Sequence, residues 1–152
     1  MSDWRADIEE AVAAFLTVAE LAGDSLSRDE ITTEYLSAPH TPPTRLPEGK
    51  MAVYGFWGGG EWLKIGIAGP KSKARYTSQH YNPGSALSTL AASLGRDEQM
   101  AGVAGFDPGM PGAWIRTSTH RVNILIPAQR RRGLICLLEA FLHARLRPRY
   151  EA

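Results

Sequence analysis

Residues 51–79 read MAVYGFWGGGEWLKIGIAGPKSKARYTSQ, and this stretch decides how the rest of the chain can fold. Two runs rich in aromatic and β-branched residues, 51–57 and 62–68, are joined by three glycines and Glu61. Apolar runs separated by a short glycine-containing loop predict a β-hairpin. The Gly69-Pro70 dipeptide ends the second run, and we expect a polar, helix-compatible segment after it.

The residues before the hairpin are predicted to be helical. In 4–22, the spacing of Ile8, Val12 and Phe15 is typical of an amphipathic helix. Residues 27–30 read SRDE, the S-x-x-E pattern of a capping box, which predicts a second helix to about residue 36. Residues 40–47 are rich in proline, which breaks helices and strand ladders. We therefore predict a helical extension at 1–38, a proline-rich linker at 39–48 and a main domain at 49–152.

After the hairpin, the pattern alternates between helical and extended segments. A turn at 82–84 precedes a predicted helix over 85–94, and the glycines and prolines of 95–112 predict a long loop. Residues 113–117 are expected to form a short strand and 121–126, RVNILI, a second one. The final helix is predicted over 133–146 and ends before Pro148.

Composition is that of an ordinary globular protein. The 152 residues are 43% hydrophobic and 22% charged, which suits one domain with a real core. The single cysteine excludes an intrachain disulfide and any zinc site built on cysteine pairs. No apolar run approaches the ~20 residues that cross a bilayer, so we expect no membrane partner and a cytoplasmic location.

Charge is distributed unevenly along the chain. Residues 1–40 hold nine acidic and two basic side chains, whereas the remainder holds seven acidic and fifteen basic ones. A basic body of this kind can bind a polyanion. Two ordinary solvated surfaces would explain the same asymmetry.

Glu139 is the only carboxylate of the final helix, GLICLLEAFLHARL, which is apolar on nearly every face and is expected to be largely buried. Helical spacing places it with Ile135, Leu142 and Leu146. A carboxylate there costs free energy unless it is paired, protonated or bound to a cation. A salt bridge to an arginine, or a helix edge that reaches solvent, would also account for it.

The remaining candidates are expected to be structural. His40 lies in the predicted linker and should be solvated, and Cys136 should be a small buried side chain. His120 precedes a strand and His143 lies on the last helix, where structural roles are commoner than catalytic ones. The two tryptophans that flank the hairpin turn favour cross-strand packing over base stacking.

Taken in order, these motifs resemble the GIY-YIG nucleases, including the domain found in the bacterial excision-repair nuclease subunit and in homing and restriction endonucleases. The resemblance covers about residues 49–151. The matching positions are Ala52-Val53-Tyr54 for GIY, Lys64-Ile65-Gly66 for YIG, Arg75, His80, Leu138-Glu139-Ala140 and Pro148-Arg149-Tyr150. The chain departs from the family pattern at Lys64, which replaces the YIG tyrosine, and at Glu151, which replaces a terminal asparagine.

The resemblance implies an α/β (α+β) fold with a small three-stranded antiparallel sheet flanked by helices, and a metal-dependent endonuclease acting on DNA. Glu139 would bind Mg²⁺ or Mn²⁺, and Arg75 would hold the phosphate. Tyr54, or Lys64 if burial lowers its pKa, would take the proton from water. His80 would hydrogen-bond Tyr54 or relay its proton.

DNA is the partner that the basic residues around this site favour, since phosphate contacts give affinity without sequence information. The basic residues expected to contact DNA are Lys71, Lys73, Arg116, Arg121, Arg130, Arg131 and Arg132.

Two alternatives use the same scaffold without hydrolysis. The lysine at position 64 motivates a catalytically inactive nucleic-acid-binding module. A protein-interaction module is the other, in which the acidic extension covers the basic face in cis or joins a second subunit into a dimer.

Overall fold

The computed structural model of this chain describes residues 3–86 and 88–150, so the departure predicted at Glu151 lies outside the described residues. The helices in this part of the chain are α1 (Trp4–Leu21), α2 (Lys73–Thr77), α3 (Leu90–Arg96), α4 (Pro111–Ser118) and α5 (Arg132–Leu146). The strands are β1 (Thr32–Leu36), β2 (Lys50–Gly58), β3 (Glu61–Ala68) and β4 (His120–Pro127).

The four described strands form one antiparallel sheet in the order β1-β4-β2-β3. The predicted hairpin is confirmed as β2–β3, and its turn uses Gly59 and Gly60 at positive φ angles of 63° and 84°. The strand predicted at 121–126 is confirmed as β4, at the centre of the sheet. The α+β class is therefore correct, with four strands where three were expected.

The extra strand comes from a segment predicted to be helical. Ser27 and Glu30 do form the capping box, but it caps a single 3-10 turn, and β1 follows at Thr32–Leu36. A cap satisfies the N–H groups at a helix start and does not decide how far the helix continues. The β-branched and aromatic residues of TTEYL pair instead with β4. The prediction of a second helix over 27–36 is wrong for this reason.

The sheet has a hydrophobic core on each face. On one face, α1 and α5 pack against the strands, with Phe15 and Leu138 among the buried residues. On the other face, the strands are covered by α2, α3, α4 and the 3-10 turn Gln79–Tyr81, with Leu90 and Ile115 buried. Helix α1 thus contributes to the main core, and the described part of 1–38 is not a separate helical extension.

Two further predictions fail because tertiary packing decides between helix and strand. Residues 113–117, expected to form a strand, lie in α4, which starts with Pro111 and buries Trp114 and Ile115. The helix predicted over 85–94 starts only at Leu90, where Thr89 caps it.

Burial also differs from expectation at two positions. Helix α5 buries only one face, through Leu134, Ile135, Leu138 and Leu142, and leaves Cys136 exposed. His40, expected to be solvated, is buried. Among the described residues, no helix is long and apolar enough to cross a lipid bilayer.

Candidate active site

A cavity of about 270 Å³ opens beside β3, which is an edge strand of the described sheet. Strand β3 supplies one wall, α2 and the turn Gln79–Tyr81 supply another, and α5 supplies a third. The five side chains predicted to be catalytic all line this cavity: Tyr54, Lys64, Arg75, His80 and Glu139. They come from β2, β3, α2, the 3-10 turn and α5, so the fold brings together residues that are 85 positions apart in the sequence.

Tyr54 lies in β2 directly opposite Gly66 of β3. Its phenol ring crosses over Gly66: a Cβ atom built at position 66 would lie 2.5 Å from Tyr54 Oη and 2.7 Å from Cζ. No side chain fits in that space, so glycine at this position is a steric requirement of the tyrosine. Tyr54 and Gly66, the last residues of the two sequence motifs, therefore act as one packing unit.

His80 holds the phenol oxygen of Tyr54, at 2.6 Å from Nε2. The other ring nitrogen, Nδ1, accepts the backbone N–H of Leu90 at 3.1 Å. Burial, with the charges of Lys64, Arg121 and Arg75, lowers the pKa of His80 to about 3, so the imidazole is neutral. A neutral ring that accepts at Nδ1 carries its proton on Nε2. His80 therefore donates to Tyr54.

The direction of the hydrogen bond from His80 to Tyr54 limits how His80 can take part in proton transfer. An imidazole that donates through Nε2 while Nδ1 accepts from the backbone has no free site for the tyrosine proton. The prediction that His80 hydrogen-bonds Tyr54 is confirmed, whereas a relay through its ring is incompatible with the bond to Leu90. The donated bond stabilises the anionic form of the phenol, while burial raises the pKa of Tyr54.

Lys64 and Glu139 line the same cavity and interact electrostatically. Lys64 is 9% exposed, and burial lowers the pKa of its ammonium while the carboxylate of Glu139 opposes that shift. Glu139 is half-buried and forms no hydrogen bond or ion pair within 4 Å with any residue of 3–86 or 88–150. The salt bridge to an arginine that would have explained this carboxylate is thus absent from the described part of the chain.

Arg75 is exposed at the mouth of the cavity, in the last turn of α2. Within the described ranges it has no hydrogen bond or ion pair with another side chain, so its planar fork is available to a ligand. A carboxylate, an ammonium, a guanidinium and a phenol thus surround one open volume.

The donor set around the cavity suits a hard cation better than a soft one. The described residues contain no group of three or more His, Cys, Asp and Glu side chains placed to hold a metal ion. Mg²⁺ does not need such a group, because it keeps several water ligands and is held by one or two carboxylates. The Glu139 carboxylate lines the cavity and has no ion-pair partner within residues 3–86 and 88–150, so it fits that requirement.

Several lining residues were not predicted. Gln79, Ser88, Thr89 and His143 also border the cavity, and nothing in their local sequence distinguishes them from surface polar residues. His143 donates through Nε2 to the carbonyl oxygen of Ile65 at 3.1 Å, which ties α5 to the open edge of β3. The structural role expected of His143 is consistent with this bond.

The seven basic residues expected to contact DNA fall into three groups. Four are exposed and have no ion pair in the described ranges: Lys71, Lys73, Arg116 and Arg132. Arg130 pairs with Asp24 at 3.1 Å and with Glu30 at 3.3 Å, and Arg131 pairs with Asp24 at 3.4 Å. Asp24 and Glu30 of the acidic N-terminal segment therefore pair with two of the seven basic residues expected to contact DNA.

Arg121 forms the third group. Its side chain is 0% exposed, so the prediction that it contacts DNA is wrong. It points to the sheet face that α4 and the turn Gln79–Tyr81 cover, and it donates to Asn123 Oδ1, Tyr81 Oη and the Tyr76 carbonyl oxygen.

Comparison with family models, curated proteins and solved structures finds no match to this chain.

Proposed function

We propose that this chain is a metal-dependent endonuclease that hydrolyses phosphodiester bonds in DNA. The observation that carries the proposal is the convergence of Tyr54, Lys64, Arg75, His80 and Glu139 on one open cavity. These residue types supply what phosphodiester hydrolysis requires: a cation ligand, a phosphate clamp and a group that accepts the proton of water.

Arg75 positions the substrate in this proposal. Its guanidinium binds two oxygens of one phosphate and lies on an exposed helical turn that a polymer can reach. The charge also stabilises the additional negative charge that develops on the phosphate as water attacks.

Glu139 would hold the metal ion. Bound Mg²⁺ or Mn²⁺ supplies charge neutralisation at the phosphate and at the leaving oxygen. The carboxylate presents its oxygens to the cavity without an internal partner in the described ranges, as a cation ligand must.

Tyr54 and Lys64 are both candidates for the proton acceptor. Tyr54 receives a hydrogen bond from neutral His80, which favours its anionic form, and Lys64 is driven toward its neutral form by burial. His80 acts through its hydrogen bond to Tyr54, so it is a positioning residue in this proposal. The matched tests below separate the two acceptors.

DNA binding outside the cavity would use the exposed cations. Lys71 and Lys73 adjoin Arg75 in sequence at the start of α2, and Arg116 lies on α4 with its guanidinium over the ring of Tyr81. Such contacts predict an affinity that falls with salt concentration and does not depend on base sequence.

Plasmid nicking tests the proposal. The native chain should convert supercoiled DNA to nicked circles in the presence of Mg²⁺ or Mn²⁺, and Glu139→Gln and Arg75→Ala should each lower the rate by about 10²-fold or more. Cys136→Ser, an exposed change on the same helix as Glu139, serves as the matched control and should retain the native rate.

Two results would overturn the proposal. Nicking that survives both substitutions would come from elsewhere in the molecule or from a contaminant. DNA binding without cleavage under either metal would instead support the inactive binding module.

A further inference from the structure

Arg121 is a buried cation that has no ion-pair partner among the described residues. Its side chain is 0% exposed, and no carboxylate of residues 3–86 or 88–150 lies within ion-pair distance of it. Its three hydrogen-bond acceptors are neutral: the amide of Asn123 at 2.8 Å, the Tyr81 hydroxyl at 3.2 Å and the Tyr76 carbonyl at 2.6 Å. Buried charges are costly and are usually paired, so this arrangement calls for an explanation.

The nearest carboxylate in the network is separated from Arg121 by one neutral residue. Glu34 Oε1 accepts from Tyr76 Oη at 3.0 Å and from Asn123 Nδ2 at 3.3 Å. Asn123 then accepts from Arg121 through its other amide atom, Oδ1. An aspartate at position 123 would neutralise the guanidinium directly, whereas the asparagine leaves its charge in place.

The uncompensated charge lies against the phenol at the cavity. The guanidinium carbon of Arg121 is 5.3 Å from the centroid of the Tyr54 ring, 5.2 Å from that of Phe56 and 5.0 Å from that of Tyr76. Only Tyr54 among these three rings lines the cavity. Because Arg121 is 0% exposed and Tyr54 is 2% exposed, the field of the cation is weakly screened between them.

We propose that Arg121 is a positioning residue that stabilises the tyrosinate form of Tyr54 from beneath its ring, and that Asn123 keeps this cation free of neutralisation. The proposal rests on the proposed function, because a tyrosinate is needed only if Tyr54 accepts a proton during hydrolysis.

The charged and titratable groups around Tyr54 act in both directions. Burial is the largest influence and raises the pKa of its phenol; Arg121 and Arg75 lower this pKa, and the Glu139 carboxylate raises it. His80 donates to the phenol oxygen and Lys64 lines the same cavity. Among these cations, Arg121 is the one that is fully buried. No described carboxylate pairs with it.

A direct titration of position 54 tests the proposal. A fluorinated tyrosine, whose phenol titrates at lower pH than that of tyrosine, is incorporated at position 54, and its ionisation is followed by ultraviolet absorbance. In Arg121→Met the pKa of this residue should rise by about 1 unit or more, as expected when an opposite charge within ~6 Å is removed.

A charge-transposed variant covers the case in which Arg121→Met does not fold. Glu34→Gln combined with Asn123→Asp conserves net charge and hydrogen-bonding groups but moves the carboxylate next to Arg121. The pKa at position 54 should again rise, whereas Glu34→Gln alone should leave it unchanged or lower it. A pKa that stays at its native value in the folded double variant overturns the proposal.

The titration does not depend on DNA cleavage. If the native protein does not nick DNA, the proposed function is rejected. The measured pKa at position 54 still decides the electrostatic role of Arg121. With an active enzyme, the rate-against-pH profile of the double variant should shift to higher pH, and an unshifted profile counts against the proposal.

Discussion

Two buried tyrosine–histidine pairs, Tyr54–His80 and Tyr81–His40, lie on the same side of the sheet in the described part of the chain. Their oxygen–nitrogen distances are nearly equal, 2.6 and 2.7 Å, and all four side chains are less than 9% exposed. Their hydrogen bonds run in opposite directions. His80 donates to Tyr54, as the bond from Leu90 to its Nδ1 requires, whereas His40 accepts from Tyr81.

The second assignment follows from the neighbours of His40. Its Nδ1 lies 2.8 Å from the carbonyl oxygen of Thr119, which can only accept, so the ring proton is on Nδ1 and Nε2 accepts from Tyr81. The Tyr81 oxygen in turn receives an N–H of Arg121. The ring proton of His40, the Tyr81 hydroxyl and an N–H of Arg121 thus all have acceptors within the protein.

The Tyr54–His80 pair differs, because the hydrogen bonds of its phenol do not all end within the described part of the protein. The phenol oxygen accepts from His80, and its own proton has no acceptor among the described residues, so it is directed to whatever occupies the cavity. One pair is therefore a structural link between the 39–48 segment and the turn Gln79–Tyr81, and the other leaves its phenol oxygen open to the cavity. The direction of the hydrogen bond, and not the residue types, distinguishes the two pairs.

Removal of the two tyrosine hydroxyl groups should give the largest difference in nicking rate between the two pairs. Tyr54→Phe should lower the nicking rate by about 10²–10⁴-fold with a small change in stability, because it removes a proton acceptor at the cavity. Tyr81→Phe should leave the rate within a few-fold and lower the free energy of unfolding by about 1–3 kcal/mol, since Arg121 and His40 lose a partner. Nicking assays and urea denaturation of both variants check this; equal rate losses would contradict it.

The same nicking assay can distinguish Tyr54 from Lys64. A Lys64→Met variant that retains activity while Tyr54→Phe loses it assigns the proton acceptor to the tyrosine. The opposite result assigns it to the lysine.

Gly66→Ala should displace the phenol of the Tyr54–His80 pair without changing the functional groups of the pair. The new methyl group would overlap the Tyr54 phenol, and a displacement of about 1 Å at a reacting group costs about 10²-fold in rate. Gly133→Ala is the matched control, because its Cβ meets nothing within 4 Å and alanine stabilises a helix by about 0.5–1 kcal/mol. Native activity in Gly66→Ala would mean that the phenol position does not matter.

Acid should destabilise both pairs in the same direction. Burial holds the folded pKa of His80 at about 3, below the 6.5 of an unfolded histidine, and lowers that of His40 as well. The unfolded chain therefore binds more protons between pH 6.5 and 3, so stability is lost as pH falls through that window. His80 alone should cost about 2 kcal/mol at pH 5.

Denaturation midpoints at pH 7.5 and 5 measure this loss. His80→Gln, which cannot titrate, should show a smaller difference between the two pH values than the native chain. An equal difference in both proteins would show that His80 is not held neutral by burial.

Substitution of the two histidines should give the smallest difference in nicking rate between the two pairs. His80→Gln should lower the nicking rate by about tenfold, because one hydrogen bond to a charged oxygen contributes about 1.5–3 kcal/mol and glutamine retains part of it. His40→Gln should keep the rate within threefold of native, since its bonds stay inside the protein. Parallel nicking rates check this, and a larger loss in His40→Gln would reverse the assignment of the two pairs.

Much of the candidate site could be predicted from sequence because it depends on local patterns. The β2–β3 hairpin follows from its apolar runs and glycine turn, which fixes Tyr54 opposite Gly66. Glu139 was distinguished as a lone carboxylate on an apolar helix, and it does line the cavity without a described ion-pair partner. The catalytic roles of these residues stay predictions until the variants are measured.

The errors share a different origin. RVNILI places Arg121 and Asn123 on one side of a strand, a pattern typical of a solvent face, yet α4 and the turn Gln79–Tyr81 cover that side. The capping box predicts a helix through residues 32–36, whereas their strand partner, β4, is 85 or more residues away in the sequence and gives no local signal. Both mistakes concern what packs against an element, which no local window contains.

The sequence by itself determined the hairpin, the central strand β4, the first and last helices and the residue types available for chemistry, since these depend on periodicity and turn residues. Only the tertiary structure decided that Arg121 is a buried charge, that Arg130 is paired with Asp24, and that two similar tyrosine–histidine pairs have opposite polarity. The physical reason is that burial and hydrogen-bond direction depend on neighbours brought together from distant parts of the chain.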